Sequence, residues 1–216
     1  MKVVVKIKWL GHACFLITSS KGVKILTDPF DDQVGYELPS EEADIVTTSH
    51  DHFDHNYTQI VKGEFVHIKE AGIYLEKGIN IKGVASFHDE VAGKKRGNNV
   101  IFKFDVDGVE VCHCGDLGHV LTPGQVEEIG RVDVLLLPVG GTYTVDAKEA
   151  FEVAKLLKPA VIIPMHFKTD DNDFDIDGVD KFIAVAGKGE RAGKQEIEIT
   201  KENIESIPSV LILEYR

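Results

Sequence analysis

The stretch Thr47-Thr48-Ser49-His50-Asp51-His52-Phe53-Asp54-His55 places three histidines and two aspartates within six consecutive positions. The segment before it, residues 43–47, is rich in β-branched side chains and predicts a short strand. Side chains alternate along a strand, so a continued strand would turn the third histidine away from the other two. If the strand instead ends near Ser49 and the chain curls into a helical turn, the histidines and the second aspartate can converge on one point.

Converging imidazole and carboxylate groups are suitable ligands for a divalent metal ion. A single histidine near a strand end is usually structural, and an isolated His-x-His is only suggestive. The full pattern His-x-His-x-Asp-His is different, because burying four polar side chains without a metal would be costly. The stretch therefore predicts a metal site.

Length and composition indicate one globular α/β domain spanning residues 1–216. Hydrophobic residues make up 43% of the chain and charged residues 28%. No apolar run reaches the ~18 residues that a membrane span requires. The N-terminal segment alternates like a strand and lacks the apolar core of a signal peptide. With three cysteines, an odd number, these features predict a reducing, cytoplasmic setting.

The formal net charge of −12 bears on the partners of the protein. An average field of this sign repels nucleic acid and anionic membranes, although a local basic patch could override it. We therefore expect a small-molecule substrate and regard nucleic acid as a disfavoured partner. The sequence leaves a homo-oligomer open.

The motif from His50 to His55 resembles the signature of the metallo-β-lactamase superfamily, whose members are metal-dependent hydrolases. The resemblance implies an α/β fold of the four-layer αββα sandwich type. It also implies two divalent metal ions, with zinc as the default and manganese or iron as alternatives. The implied ligands are His50, His52 and His88 for the first ion, Asp54, His55 and His166 for the second, and Asp116 as the bridge.

Four of the implied residues lie at the ends of predicted strands, where functional residues are common. Asp28 precedes a proline that closes a strand, and the resemblance makes it a support for the metal histidines, although an Asp-Pro pair commonly caps a turn. On the residues alone, His88 is equally a ligand or a structural histidine. Asp116 is followed by Leu117, where family members often have threonine, so a hydroxyl hydrogen bond is not expected there. His166 follows the predicted strand 160–165.

Two further stretches are similar to one branch of the superfamily, the ascorbate-6-phosphate lactonase-like and N-acyl-phosphatidylethanolamine phospholipase D-like proteins. The first is Gly11-His12-Ala13-Cys14-Phe15. There, His12 either lines the mouth of the active site as an acid or substrate contact, or is a turn histidine. The second runs from Gly140 to Thr144 ahead of a predicted helix. Its glycines would let backbone N–H groups approach an anion, so Gly141 and Tyr143 are candidate substrate contacts.

Two charged segments remain. Gly93-Lys94-Lys95-Arg96-Gly97 is either an electropositive loop, in which Arg96 holds a substrate phosphate or carboxylate, or a solvated hairpin tip. The acidic segment 170–178 begins like a calcium-binding EF-hand loop, but the closing glutamate would fall at Ala184. We interpret it as an acidic loop near the active site.

Together these features predict a dinuclear metal-dependent hydrolase of an ester, lactone or phosphoester bond in a small molecule. A hydroxide that bridges the metals would attack, and Asp54, a metal-bound water or His12 would protonate the leaving group. One alternative is a nucleic-acid phosphodiesterase like ribonuclease Z, which the acidic charge and the lack of an RNA-grasping arm disfavour. Another is a non-catalytic or diiron redox module, although diiron relatives usually replace one histidine of the first site by a carboxylate.

Overall fold

The computed structural model describes residues 3–215. Within this range β-strands dominate, and most of them are short. The strands are β1 (Val5–Trp9), β2 (Phe15–Thr18), β3 (Lys24–Thr27), β4 (Ile45–Thr47), β5 (Val66–Ile68), β6 (Gly72–Glu76), β7 (Ile79–Phe87), β8 (Asn98–Val106), β9 (Val109–His113), β10 (Val134–Pro138), β11 (Val161–Met165), β12 (Glu190–Arg191), β13 (Glu196–Ile199) and β14 (Leu211–Ile212). The α-helices are α1 (Pro123–Ile129), α2 (Ala147–Leu157) and α3 (Val179–Ala186), with 3-10 helices at Asp32–Val34, Thr58–Ile60 and Ile204–Ser206.

Two mixed six-stranded sheets form the body of the protein. The first sheet has the order β13-β1-β2-β3-β4-β5, antiparallel from β13 to β3 and parallel from β3 to β5. The second has the order β11-β10-β9-β8-β7-β6, antiparallel from β6 to β9 and parallel from β9 to β11. Strands β12 and β14 form a small parallel pair.

The two sheets enclose the main core. Phe15, Ile17 and Ile25 of the first sheet belong to the same buried cluster as Phe102 and Phe104 of the second. Each such side chain contributes roughly 1.5–3 kcal/mol when it is removed from water. The structure therefore confirms the sandwich of the metallo-β-lactamase fold.

The outer layers of the sandwich differ from each other. Helix α2 begins with a capping box in which Asp146 accepts the N–H of Glu149, and its apolar face joins the main core beside the second sheet. Over the first sheet, Leu16, Leu26 and Val46 form a separate buried cluster with Phe30 and Val34. Among residues 3–215, 3-10 turns and loops cover that cluster. The segment after the histidine motif forms no α-helix, although residues 56–61 contain no helix-breaking residue.

One predicted strand is much shorter than expected. The sequence indicates a strand near residues 209–215, but β14 covers only Leu211–Ile212. The reason is that its partners change along the segment. Ser209 bonds to Ile162 of the second sheet, and the next residues pair with the two-residue strand β12.

Strand direction brings the functional residues together. Strands β1, β3 and β4 run the same way in one sheet, as do β7, β9 and β11 in the other. The segments that follow the carboxyl ends of these strands hold the predicted ligands, and they meet at one edge of the sandwich. No helix within residues 3–215 combines the length and apolar character that crossing a membrane requires.

Candidate metal centre

The histidine motif forms a tight turn. Strand β4 ends at Thr47, and the backbone N–H groups of His55 and Asn56 both donate to the carbonyl of His52, at 3.0 and 3.1 Å. This turn is the alternative that allows convergence, because it returns His55 to the side of the earlier histidines. The ring centroids of His50 and His55 are 4.3 Å apart.

The predicted ligands form two adjacent groups, and a third set, made of His50, His55 and Asp116, connects them. Within each group the potential ligand atoms all lie within 4.8 Å of one another. One group consists of His50, His52 and His88, and the other of His12, Asp54, His55 and His166. The first matches the predicted first metal site, and the second contains the three predicted ligands of the other site together with His12.

Asp116 lies between the two groups. Its Oδ2 is 3.3 Å from Nε2 of His88 in one group and 3.3 Å from Nε2 of His166 in the other. Its Oδ1 is 3.2 Å from Nε2 of His55. One carboxylate thus faces histidines of both groups, which is the arrangement that a bridging ligand requires.

The donor atoms are better placed to bind metal ions than to form hydrogen bonds with one another. His55 Nε2 and Asp116 Oδ1 are buried and close together, yet neither makes a hydrogen bond within the described residues, and His50 Nε2 is also without a partner. Buried polar atoms without partners are rare, because each costs about 1–3 kcal/mol. Imidazole nitrogens and carboxylate oxygens that point at a common space, and not along hydrogen bonds, form a donor set suited to divalent cations.

The electrostatics of the centre reflect burial and crowding. Burial lowers the pKa of His50 to about 3, with repulsion from His55 adding to the effect. Burial opposes ionisation of Asp116, but His166 and His55 outweigh it and hold its pKa well below the ordinary value. For His55, burial lowers the pKa, but Asp116 and Asp54 outweigh burial and raise it. Anionic carboxylates and a largely neutral His50 are the ionisation states that bind metal.

Asp28 supports the histidine turn from behind. This fully buried carboxylate accepts hydrogen bonds from Ser49 N–H at 2.8 Å and Ser49 Oγ at 2.6 Å. Its Oδ2 is also 2.8 Å from Nδ1 of His55. This contact leaves Nε2 of His55 to face Asp116, which is how a carboxylate orients a ligand histidine.

Three residues of the centre have strained backbones. The φ angles of His12, Asp28 and His166 are 51°, 41° and 50°. Side chains other than glycine rarely adopt this left-handed region, and such strain clusters at functional sites. The surrounding sheets hold these turns in place.

The prediction that His12 lines the mouth of the site is wrong about its position. His12 is 1% exposed and lies beneath Asp54, with Nε2 3.2 Å from Asp54 Oδ2. The N–H of His166 donates to its carbonyl oxygen, and Trp9 Nε1 donates to the same atom. Burial, reinforced by His166, lowers the pKa of His12 to about 4, so the ring is neutral near pH 7. Any contact of His12 with substrate would have to pass through Asp54.

A cavity of about 550 Å³ opens onto the centre. This volume falls within the range of roughly 300–1,000 Å³ that is typical of small-molecule sites. The walls combine candidate ligands with aromatic side chains. They are formed by Asp51, His52, Phe53, Asp54, His88, Arg96, Asp116, Tyr143, His166 and Phe174.

The three residues predicted as further substrate contacts differ in whether they line the cavity. Arg96 and Tyr143 both line the cavity, and the guanidinium carbon of Arg96 lies 5.7 Å from the centre of the Tyr143 ring. Gly141 does not line it, and its N–H donates to the carbonyl of Val145 at 3.3 Å. The expectation that this N–H would meet a substrate anion is therefore wrong, because the loop uses it to close its own turn.

Sequence reasoning missed several residues of the site. Phe53 and Phe174 line the cavity, but an aromatic residue within a polar motif or acidic loop carries no readable signal. Asp89 is 1% exposed and organises the loop 90–97 through its carboxylate. Its only signal is its place before a glycine-containing turn. Near the histidine turn, Nε2 of His67 contacts Thr48 Oγ1 at 3.0 Å.

The sandwich and the two ligand groups at its edge define a metallo-β-lactamase-fold protein, and comparison with known proteins agrees. A model of the beta-lactamase superfamily domain matches residues 6–166. The chain belongs to the UPF0173 family of metal-dependent hydrolases within that superfamily. A UPF0173 metal-dependent hydrolase of Thermoplasma acidophilum is 34% identical over 210 residues, covering 84% of this chain and 91% of the relative.

Solved structures support the same assignment. A Thermotoga maritima protein, described as a candidate Zn-dependent hydrolase of the metallo-beta-lactamase superfamily, is 46% identical with a TM-score of 0.81. The match covers 97% of this chain and 98% of that one. A metallo hydrolase from Ignicoccus hospitalis shares the fold at 22% identity, with a TM-score of 0.68 over 91% of this chain and 99% of that one.

Proposed function

We propose that this protein is a dinuclear metal-dependent hydrolase that cleaves an ester, lactone or phosphoester bond of a small molecule. The position of Asp116 between two histidine groups carries the proposal, because one carboxylate within 3.3 Å of both groups is suited to join two cations. When bound, the two cations supply Lewis acidity, which activates water and polarises the bond to be cleaved. The cavity of about 550 Å³ suits a substrate of small-molecule size.

We propose that Asp54 and His12 take part in the proton transfer between the attacking water and the leaving group. The side chain of Asp54 retains 14% exposure and lines the cavity, whereas His12 beneath it is buried. Burial opposes ionisation of Asp54, but His55 and His12 outweigh it and lower its pKa. Asp54 is thus an anion held between two imidazoles. Because its lowered pKa makes it a weak base, we propose that it orients the attacking water as a hydrogen-bond acceptor and holds the proton only in passing to the leaving group.

The chemistry of the cavity favours an ester or lactone. The stretches around His12 and Tyr143 resemble a branch that contains both lactonase-like and phospholipase D-like proteins, so this resemblance is compatible with a lactone and with a phosphoester. Among residues 3–215, Arg96 contributes the one guanidinium that lines the cavity. This is a small basic surface for a nucleic-acid backbone, and the net charge of −12 opposes such a ligand. An intact His50-x-His52 pair in the first group supports hydrolysis over diiron redox chemistry.

The test combines metal content with a substrate panel. Protein is stripped with chelator, reloaded separately with zinc, manganese or iron, and assayed with a lactone, an aryl ester and bis-p-nitrophenyl phosphate. We expect two metal equivalents per chain, activity only in reloaded protein, and fastest turnover of the ester or lactone. Preference for the phosphodiester would narrow the proposal to its phosphoester case, and faster turnover of an RNA oligonucleotide than of all three small substrates would favour the nuclease alternative.

A matched pair of histidine variants controls the metal count. His52→Ala removes a proposed ligand and is expected to bind one equivalent less. His67→Ala removes an exposed histidine near the same turn and is expected to keep two equivalents. Full activity of metal-free protein, or equal metal content in both variants, would contradict the proposal.

A further inference from the structure

The loop that follows His88 is built around one carboxylate. Asp89 Oδ1 accepts the backbone N–H groups of Val91 and Gly93, at 2.9 and 2.8 Å. Its Oδ2 accepts those of Lys95 and Arg96, each at 2.8 Å. Four hydrogen bonds from one loop to one buried side chain fix the backbone, because donors that converge on a carboxylate form strong, charge-assisted bonds.

This loop delivers Arg96 to the active-site cavity. Arg96 Nη2 donates to the carbonyl of Thr142 at 2.9 Å, and the guanidinium lies over the ring of Tyr143. These contacts hold the side chain against the cavity wall. Within residues 3–215 Arg96 forms no ion pair with an acidic side chain, so most of its five N–H donors remain for a ligand.

The remaining wall of the cavity is aromatic. Phe53, Tyr143 and Phe174 line it, and the first two are 44% and 38% exposed. Phe174 lies with its ring centroid 6.4 Å from that of Tyr143. Exposed aromatic side chains that surround a cavity suit the apolar part of a ligand.

We propose that the site selects esters or lactones whose acyl part is apolar and ends in a carboxylate, and that Arg96 receives this carboxylate. This inference rests on the proposed function. One guanidinium matches a planar carboxylate through two parallel hydrogen bonds and balances one negative charge. Asp51, which also lines the cavity, would repel a second charge, so a carboxylate fits better than a dianionic phosphate. Asp89 acts as a positioning residue for Arg96.

The test compares two esters that differ only in the terminal carboxylate, p-nitrophenyl hexanoate and mono-p-nitrophenyl adipate. In the metal-loaded wild-type protein, kcat/KM for the adipate ester should exceed that for the hexanoate ester. Arg96→Gln should reduce this preference by about 10- to 100-fold, the usual effect of losing a hydrogen-bonded charge. The readout is the ratio of the two kcat/KM values, so a loss shared equally by both esters would contradict the carboxylate subsite.

Two further variants separate position from charge. Lys94→Gln makes the same change of charge in the same loop, but Lys94 is exposed and does not line the cavity, so the preference should remain. Asp89→Asn retains Arg96 but replaces two acceptor lone pairs by N–H donors, and should raise KM for the adipate ester with little change in kcat. An equal loss in the Lys94 and Arg96 variants would overturn the proposal.

Binding of uncleaved analogues makes the inference independent of turnover. Isothermal titration of the metal-loaded protein with adipamic acid and hexanamide, which carry amides in place of the esters, should show tighter binding of the acid in wild type. Arg96→Gln should abolish that difference. Equal affinities in wild type would refute the carboxylate subsite even if both esters are hydrolysed. A clear difference without hydrolysis would retain the subsite and refute the proposed hydrolase.

Discussion

Asp28 shows how much of the metal centre depends on one side chain outside the proposed ligand set. Asp28→Asn would place an amide N–H₂ against Ser49 and His55, which are 2.6–2.8 Å from the carboxylate. Loss of the carboxylate that orients a ligand histidine typically weakens metal binding about 10- to 100-fold. Competition with a fluorescent chelator should show that loss.

Asp133→Asn is the matched control for this change. Asp133 is also buried and accepts the N–H of Glu110 and two hydrogen bonds from Arg131, but it lies outside both ligand groups. Its variant should lose stability and keep metal affinity. An unchanged metal affinity in Asp28→Asn would show that His55 does not need this partner.

The hydrogen bonds that Asp89 accepts from loop 90–97 lead us to predict a pH dependence of stability. Burial opposes ionisation of Asp89, but the N–H groups of Arg96, Lys95, Val91 and Gly93 outweigh it and lower its pKa. A carboxyl whose pKa is lowered in the folded state contributes stability above its ordinary value of 3.8, and loses it as the pH falls through the folded pKa. The difference in Tm between wild type and Asp89→Asn should therefore be constant from neutral pH to about 5 and narrow below pH 4.

This comparison of variants cancels the acid sensitivity of the rest of the protein. Thermal unfolding of both chains in chelator, over the same pH series, is the measurement. A difference in Tm that stays constant to pH 3, or widens, would mean that the ionised carboxylate does not stabilise the loop.

At the residue scale, the sequence predicted site residues that belong to a recognisable motif, and it did not predict those that stand alone in the sequence. The motif around His50 could be named from residue type and spacing. His88 was assigned only through the family resemblance, because a single histidine after a strand carries no pattern of its own. The burial of His12 could not, because it depends on how the β1–β2 turn packs under a loop distant in sequence. The closed turn at Gly141 depends likewise on contacts within the folded loop.

At the scale of elements, close packing between loops fixes the positions of the predicted ligands. A Cβ at Gly118 would lie 2.3 Å from the backbone N of Asp89 and 2.3 Å from the carbonyl carbon of His88. Gly118→Ala should therefore displace the segment that carries a predicted ligand. Overpacking of this kind typically costs about 1–3 kcal/mol, and metal affinity should fall as well.

Gly124→Ala tests the specificity of that effect. Gly124 lies in the first turn of α1, and a Cβ there would have no neighbour within 4 Å. The added methyl group should leave metal binding unchanged and stabilise the helix by up to about 1 kcal/mol. Chemical denaturation and metal titration of both variants provide the comparison. Equal behaviour of the two would contradict the close packing at Gly118.

Strand positions were largely predictable because apolar alternation and glycine turns mark them, as in β7 and β8. The turns and loops that cover the first sheet were less predictable from the sequence. The segment after His55 lacks helix-breaking residues, yet Tyr57 N–H bonds to the carbonyl of Pro29, and only the 3-10 turn Thr58–Ile60 forms. Such tertiary bonds override local propensity.

For the whole molecule, two bound metals should join both sheets and raise stability. A ligand at 100 times its Kd contributes about 2.7 kcal/mol, so two sites would contribute roughly 5 kcal/mol. In a chain of this size that corresponds to a Tm increase on the order of 10–20 °C. Calorimetry of zinc-loaded and stripped protein should show the increase, with about half of it remaining in His52→Ala. Equal Tm values for loaded and stripped wild-type protein would contradict metal binding by the folded state.

The two-metal centre is the central claim, and a crystal structure of zinc-loaded protein with anomalous diffraction at the zinc edge tests it most directly. We predict two anomalous peaks about 3.5–4 Å apart, one beside His50, His52 and His88 and the other beside Asp54, His55 and His166, with Asp116 contacting both. A single peak at full zinc loading, or two peaks with Asp116 contacting only one, would contradict the account.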